Sequence, residues 1–133
     1  MSQTTVELVR RWFEAANRRE FQTVMSMYAD DVELVVSEAW LNGGTYSGKE
    51  AVGRFFGDWF RTFDGGPHFE LLEMRDAGDA VAVSAQATAR GGQSGVELST
   101  DYFYVIGVRD GQVVHVEFYD DWAAALAAAG LPA

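Results

Sequence analysis

The stretch VELSTDYFYVIGVRDGQVVHVEFY, Val96–Tyr119, decides how this chain is read. It holds two runs rich in β-branched and aromatic residues, Val96–Val108 and Gln112–Tyr119, divided by Arg109-Asp110-Gly111. An Asp-Gly pair between apolar runs is the strongest short hairpin signal in the chain. Upstream, Phe69–Arg75 and Ala80–Arg90 are two more strand candidates. Ala77-Gly78-Asp79 and Gly91-Gly92-Gln93-Ser94-Gly95 supply the breaks between runs. Strands joined by short turns pair antiparallel with their neighbours, so the region 69–119 is predicted to be a four-stranded meander.

The first half of the chain has a different periodicity. Val6, Val9, Phe13 and Ala16, widened by Leu8 and Trp12, follow helical spacing and predict a helix over 4–18. Thr4 or Thr5 is the expected cap, with Glu7 three residues after Thr4. A shorter helix is predicted from Phe21 to Tyr28, then a strand over Val32–Val36, then a loop or hairpin around Asn42-Gly43-Gly44. Ser47, with Glu50 three residues on, is expected to cap a third helix. Val52, Phe55, Phe56, Trp59 and Phe63 fall on one face of that helix, a thick aromatic contact rather than a thin surface stripe. After the meander, Trp122–Gly130 is Ala-rich and helical, with Asp121 placed to cap it and Gly130 to stop it. Helices first and a meander second predict a segregated α+β domain. A curved sheet closed by helices tends to leave a cavity at its open end.

Composition narrows the function classes. The chain has 133 residues, which fits one domain, 1–133, large enough to bury a core without staples. It has no cysteine, so thiolate chemistry and disulfides are excluded. The formal charge of −10 repels phosphate backbones and argues against nucleic acid as a partner. No basic start followed by an apolar run suggests a leader, and no apolar stretch approaches the length of a membrane span, so a cytoplasmic location is expected. No His pair at ligand spacing and no ordered carboxylate loop points to a metal, and nothing calls for a cofactor.

Several strings in this order resemble the SnoaL-like and ketosteroid-isomerase-like families of the nuclear-transport-factor-2-like superfamily, including many bacterial members. They are Val9-Arg10-Arg11-Trp12-Phe13-Glu14-Ala15-Ala16-Asn17, Tyr28-Ala29-Asp30-Asp31-Val32, Tyr46-Ser47-Gly48-Lys49-Glu50-Ala51-Val52, Val108-Arg109-Asp110-Gly111-Gln112-Val113-Val114, and Asp121-Trp122-Ala123-Ala124-Ala125-Leu126 followed by Ala129-Gly130-Leu131. The resemblance implies a cone-shaped α+β fold. Three N-terminal helices would cover a curved, mostly antiparallel sheet, and a short helix would end the chain. It implies fold more than activity, since this fold hosts enzymes, binding modules and docking domains.

Asp101 is the first candidate for chemistry. Strand alternation puts Ser99, Asp101, Phe103 and Val105 on one face. Phe103 and Val105 are expected inside, so Asp101 is expected to point into the pocket. A carboxyl in an apolar site tends to hold its proton, ready to donate to an oxyanion or, once ionised, to act as a base. The resemblance adds that Thr100-Asp101-Tyr102-Phe103 lines up with the strand on which ketosteroid isomerases carry a neutral oxyanion-hole aspartic acid. It also places Trp12 where those enzymes have an oxyanion-hole tyrosine, and Val36 where they have the general base. Indole can donate a hydrogen bond but not exchange a proton as a phenol does, and valine cannot be a base.

Trp12, Tyr28, Val36, Trp40, Phe55, Trp59, Phe103 and Phe118 are the expected binding residues around a small apolar, steroid- or polyketide-like ligand. His115 and Glu117 alternate with Val116 and Phe118 and are expected outside, on the sheet face where a second copy would pair. Three readings follow: an isomerase-, cyclase- or hydrolase-type acid–base enzyme, a non-catalytic binder of such a ligand, and a dimerisation or partner-docking module. An enclosed cavity with Asp101 and a second titratable group would favour the first. A cavity lined only by apolar groups would favour the second, and a filled interior the third.

Overall fold

The computed structural model describes residues 2–37, 43–62, 64–91 and 96–132. Helix α1 spans Ser2–Asn17 and α2 Phe21–Ser26. Strands β1, Tyr28–Val36, and β2, Gly44–Ser47, precede α3, Lys49–Thr62. Strands β3, Asp64–Asp76, β4, Ala80–Gly91, β5, Val96–Arg109, and β6, Gln112–Tyr119, form the meander, and α4, Trp122–Ala128, closes the chain. The four expected meander strands are present, and the Asp110-Gly111 turn has φ of 53° and 75°, the left-handed backbone that favours this pair.

All six strands belong to one sheet in the order β2-β1-β6-β5-β4-β3. Every pairing is antiparallel except β1 with β6. The register shifts between Tyr28 and Glu33, between Leu71 and Glu73, and between Gly107 and Val108. Such irregularities bend a sheet and raise its local twist, which lets this one curl around α1 and α3. The result is a mixed α+β fold with a curved, mostly antiparallel sheet, three helices before the meander and one after it.

Leu8, Val9, Trp12 and Phe13 are the buried stripe of α1, as the spacing predicts. They meet Val32, Leu34 and Val36 of β1, Val81, Val83, Ala85 and Ala87 of β4, Tyr104 and Ile106 of β5, and Val116 and Phe118 of β6 in one cluster. A second buried group lies outside that cluster: Ala82, Val105, Ala125 and Leu126. Ala82 pairs with Val105 across β4 and β5, and α4 packs on β4, β5 and β6. Helix α4 therefore covers the outer face of the sheet, opposite α1 and α3.

Three local expectations are corrected. Helix α1 already begins at Ser2, so Thr5 lies within it; its buried hydroxyl donates to the Gly78 carbonyl at 3.3 Å and ties the helix to the β3–β4 turn. Ser47 ends β2 instead of capping α3, and Gly48, at φ 92°, carries the turn between them. The second helix stops at Ser26, and β1 starts at Tyr28 rather than Val32. Asp121 caps α4 as expected, its carboxylate accepting from Ala124 N at 2.8 Å.

Candidate functional site

The break after α1 sets the geometry of the site. Arg19 adopts φ 60°, and the Arg19 and Glu20 amides donate back to the Ala16 and Ala15 carbonyls. This is the left-handed helix ending usually built on glycine. It turns the chain so that α2 crosses beside α3. The Arg19 guanidinium lies over the Phe60 ring at 5.2 Å from its centre. One residue of the same break docks α1 on the sheet. The Asn17 amide donates to the Phe69 carbonyl and accepts from the Phe69 N–H, both at 2.8 Å. This clasp holds Phe13 against Phe69, with ring centres 5.6 Å apart.

Between α1, α2, α3 and the inner face of the sheet lies a cavity of about 110 Å³. Its walls are aromatic: Trp12 and Phe13 from α1, Phe56, Trp59 and Phe60 from α3, and Phe69 from β3. These rings meet mostly edge to face, as in Trp12–Phe56 at 6.0 Å and Trp59–Phe69 at 5.6 Å, a packing that fixes their planes. Phe21, 46% exposed, stands at the outer edge beside Phe60. Met25 and Gly53 face each other across the α2–α3 side. A Cβ added to Gly53 would sit 2.6 Å from the Met25 sulfur, so glycine is what lets the thioether rest there.

The lining side chains carry three polar tips: the Trp12 indole N–H and the Tyr28 and Tyr104 hydroxyls. Trp12 Nε1 donates to the Tyr28 hydroxyl at 3.2 Å. Burial raises the pKa of both phenols. The bond from Trp12 opposes that rise at Tyr28, and the nearby Tyr102 adds to it at Tyr104. Both phenols are therefore neutral wherever the protein is folded near neutral pH. No carboxylate or imidazole belongs to the lining among the described residues. Nor does any group of three or more His, Asp or Glu among them suit a metal ion.

Asp101 is not in this cavity. It is exposed on the outer face of β5, opposite Gln86 of β4, whose amide lies 3.4 Å from its carboxylate. The inward residues of β5 are Tyr102, Tyr104 and Ile106. Phe103 and Val105, expected inside, are on the other face, with Phe103 against Trp122 of α4 at 6.4 Å between ring centres. The inference failed because α4 buries the outer face, so apolar residues on that face do not mark the interior.

The other expected residues divide. Trp12, Tyr28 and Trp59 line the cavity. Val36 and Phe118 point inward and are buried, but in the packed core beside the cavity; Phe118 lies 4.7 Å from Tyr104. Phe55 turns to Tyr46, at 5.0 Å. Trp40 lies outside the described residues. His115 and Glu117 are on the outer face as expected; His115 lies 3.0 Å from Glu117 and 3.6 Å from Glu33. Tyr104 and Phe60 were missed. The signal for Tyr104 was the competing alternation Tyr102-Tyr104-Ile106, which becomes the natural choice once Asp101 is allowed to face water.

Comparison with known proteins agrees with this architecture. A putative SnoaL-like polyketide cyclase from Jannaschia sp. CCS1 superposes with a TM-score of 0.77 at 19% identity, covering 99% of this chain and 95% of that one. A protein with a ketosteroid isomerase-like fold from Catenulispora acidiphila DSM 44928, in complex with trimethylamine, gives 0.74 at 20% identity, over 96% and 95%. TerC, co-crystallised with polyporic acid, gives 0.75 at 21% identity, over 96% and 98%. At these identities the likeness shows the fold alone. No curated protein matches the chain in sequence. The SnoaL-like domain family matches residues 9–116, from the buried stripe of α1 to the middle of β6, and the chain belongs to that family.

Proposed function

We propose that this SnoaL-like protein binds a compact, apolar ring compound in the cavity under α1, α2 and α3, as a binder rather than an acid–base catalyst. The observation that carries this reading is the composition of the wall: nine aromatic side chains and no side chain able to act as a base near neutral pH among the described lining residues. Isomerisation, cyclisation and epoxide opening each require a group that takes up a proton. The acid offered by the sequence for that task, Asp101, lies on the far side of the sheet. The volume favours a ligand smaller than a steroid. An apolar cavity of about 150 Å³ takes up benzene, so about 110 Å³ suits no more than a single ring. Both ligand-bound folds named above hold small organic molecules, which supports a small-molecule role for this one.

We also propose self-association through the outer face at Glu33 of β1 and His115 and Glu117 of β6, beside the ground that α4 takes on β4, β5 and β6.

Tryptophan emission tests the binding directly, since Trp12 and Trp59 both line the wall. Titration with single-ring apolar compounds should change emission saturably and raise Tm. Gly53→Ala should weaken that binding with little change in the Tm of the free protein, because the displaced atoms are the flexible end of Met25. A wild-type protein whose emission and Tm are indifferent to every such compound would remove the proposal.

A further inference from the structure

We propose that the ring compound held by the cavity carries a carboxylate, and that Arg19 receives this group at the cavity mouth while the ring lies inside. This rests on the reading of the cavity as a ligand site and adds the charge of the ligand and the way round it lies.

The mouth can be located from burial. Trp12, Phe13, Tyr28, Phe69 and Tyr104 close the deep end and are buried. Ala16, Met25 and Phe60 are only half-buried, and Phe21 is exposed, so the cavity opens where the end of α1 meets α2 and α3. Arg19 stands at this opening, held by two lining residues. Its Nη1 donates to the Ala16 carbonyl at 3.0 Å, and its guanidinium carbon lies 5.2 Å from the centre of the Phe60 ring. Phe21 packs edge to face on the same ring, at 5.4 Å between centres. One side chain, Phe60, thus touches the cation and lines the cavity.

Arginine is a costly residue type for this backbone position. Arg19 has φ 60°, a left-handed conformation that glycine or asparagine takes with less strain. Either of those would end α1 and turn the chain equally well. What arginine supplies beyond them is a long cation reaching Phe60. Partial burial lowers the pKa of the guanidinium, the mark of a charge partly stripped of water, yet leaves it ionised near neutral pH. Such a cation gains more from a counter-charge than one in bulk water does.

The interior decides which part of the ligand enters. Nine aromatic side chains with Ala16, Val24 and Met25 offer no cation among the described lining residues. A carboxylate inside would lose its hydration without a counter-charge. On a ring that enters first, the same carboxylate stays at the rim, partly hydrated, against the guanidinium. An ammonium group in that place would meet a like charge. The formal charge of −10 repels anions at long range, but salt screens it beyond about 8 Å, so the local cation governs.

The test follows tryptophan emission, near neutral pH, with benzoate, phenylacetate and phenylpropanoate and with their amides, which keep the shape and lose the charge. Wild-type protein should bind at least one acid about 5-fold more tightly than its amide, the effect of one half-exposed charge-assisted pair. In Arg19→Asn and Arg19→Gly, both suited to the left-handed backbone, that preference should vanish while the amide keeps its affinity. Retained amide binding also shows that the variants are folded. Arg18→Asn removes the same charge from an exposed neighbour and should keep the wild-type preference. A preference absent from wild type, surviving in both Arg19 variants, or lost equally in Arg18→Asn would overturn the role of Arg19 and leave the cavity a ligand site. Equal losses for acid and amide in the Arg19 variants would reduce Arg19 to a helix-ending residue and overturn it as well. Failure of every acid and amide to bind wild-type protein would overturn the cavity reading and this inference together.

Discussion

The two faces of β5 are built from similar residues and do opposite things. Inward, Tyr102, Tyr104 and Ile106 join the core, and Tyr104 reaches the cavity. Outward, Asp101 faces water, Phe103 packs on Trp122, and Val105 is buried beside Ala82 where α4 packs. Each face carries aromatic and aliphatic residues, so hydrophobicity alone does not tell them apart. A strand covered on both sides gives up the simple alternation that makes sheet faces legible. What distinguishes them is a polar residue: the carboxylate of Asp101 is found where hydration is free.

Paired substitutions within this strand should break or establish that contrast. The largest effect is expected from Tyr104→Ala, which empties a fully enclosed site touching Phe13 and Phe118 and should cost about 3–5 kcal/mol in denaturant unfolding. Asp101→Ala, on the outer face, should stay within about 0.5 kcal/mol of wild type. Comparable losses for the two would mean that the faces are exchanged. The cover on the outer face is probed by Asp121→Ala, which removes the cap of α4 and should cost about 1 kcal/mol. If α4 were only loosely attached, that variant would unfold at the wild-type denaturant midpoint.

The smallest effect in the working range is with pH. Tyr28 and Tyr104 have folded pKa values raised above the ordinary 10.0 by burial. A group raised in this way contributes its full stability below its unfolded pKa and loses it as pH climbs toward the folded value. No phenol-linked change is expected up to about pH 9, with a falling limb beginning near pH 10. Tyr28→Phe combined with Tyr104→Phe should flatten that alkaline limb in a series of melting curves. A limb unchanged in the double variant would mean that these phenols ionise freely in the folded protein.

Much of the architecture was legible because it depends on local chemistry. The Asp110-Gly111 turn, the α1 stripe and the Asp121 cap each reflect the conformational preference of a few adjacent residues. Trp12, Tyr28 and Trp59 were expected near a pocket and line its wall. The role of Asn17 was not visible. Its two bonds go to the backbone of Phe69, 52 residues away, and in sequence it is one more polar residue in a break. The hairpin alternative offered around Asn42-Gly43-Gly44 agrees with the antiparallel β1–β2 pair, but the bounds of β2 escaped, because four residues with only two inward side chains carry too little pattern.

By itself the sequence determined the alternation of helix and strand, the antiparallel meander and the aromatic face of α3. Those follow from periodicity, turn chemistry and side-chain identity, which act over a few residues. Tertiary structure decided which face of β5 points inward. It also bonded the Trp12 indole to the Tyr28 oxygen and brought both side chains to the wall of one cavity. The reason is that these outcomes depend on what covers each surface. The cover here, α4 on one side and α1 with α3 on the other, comes from parts of the chain far from the strands they protect.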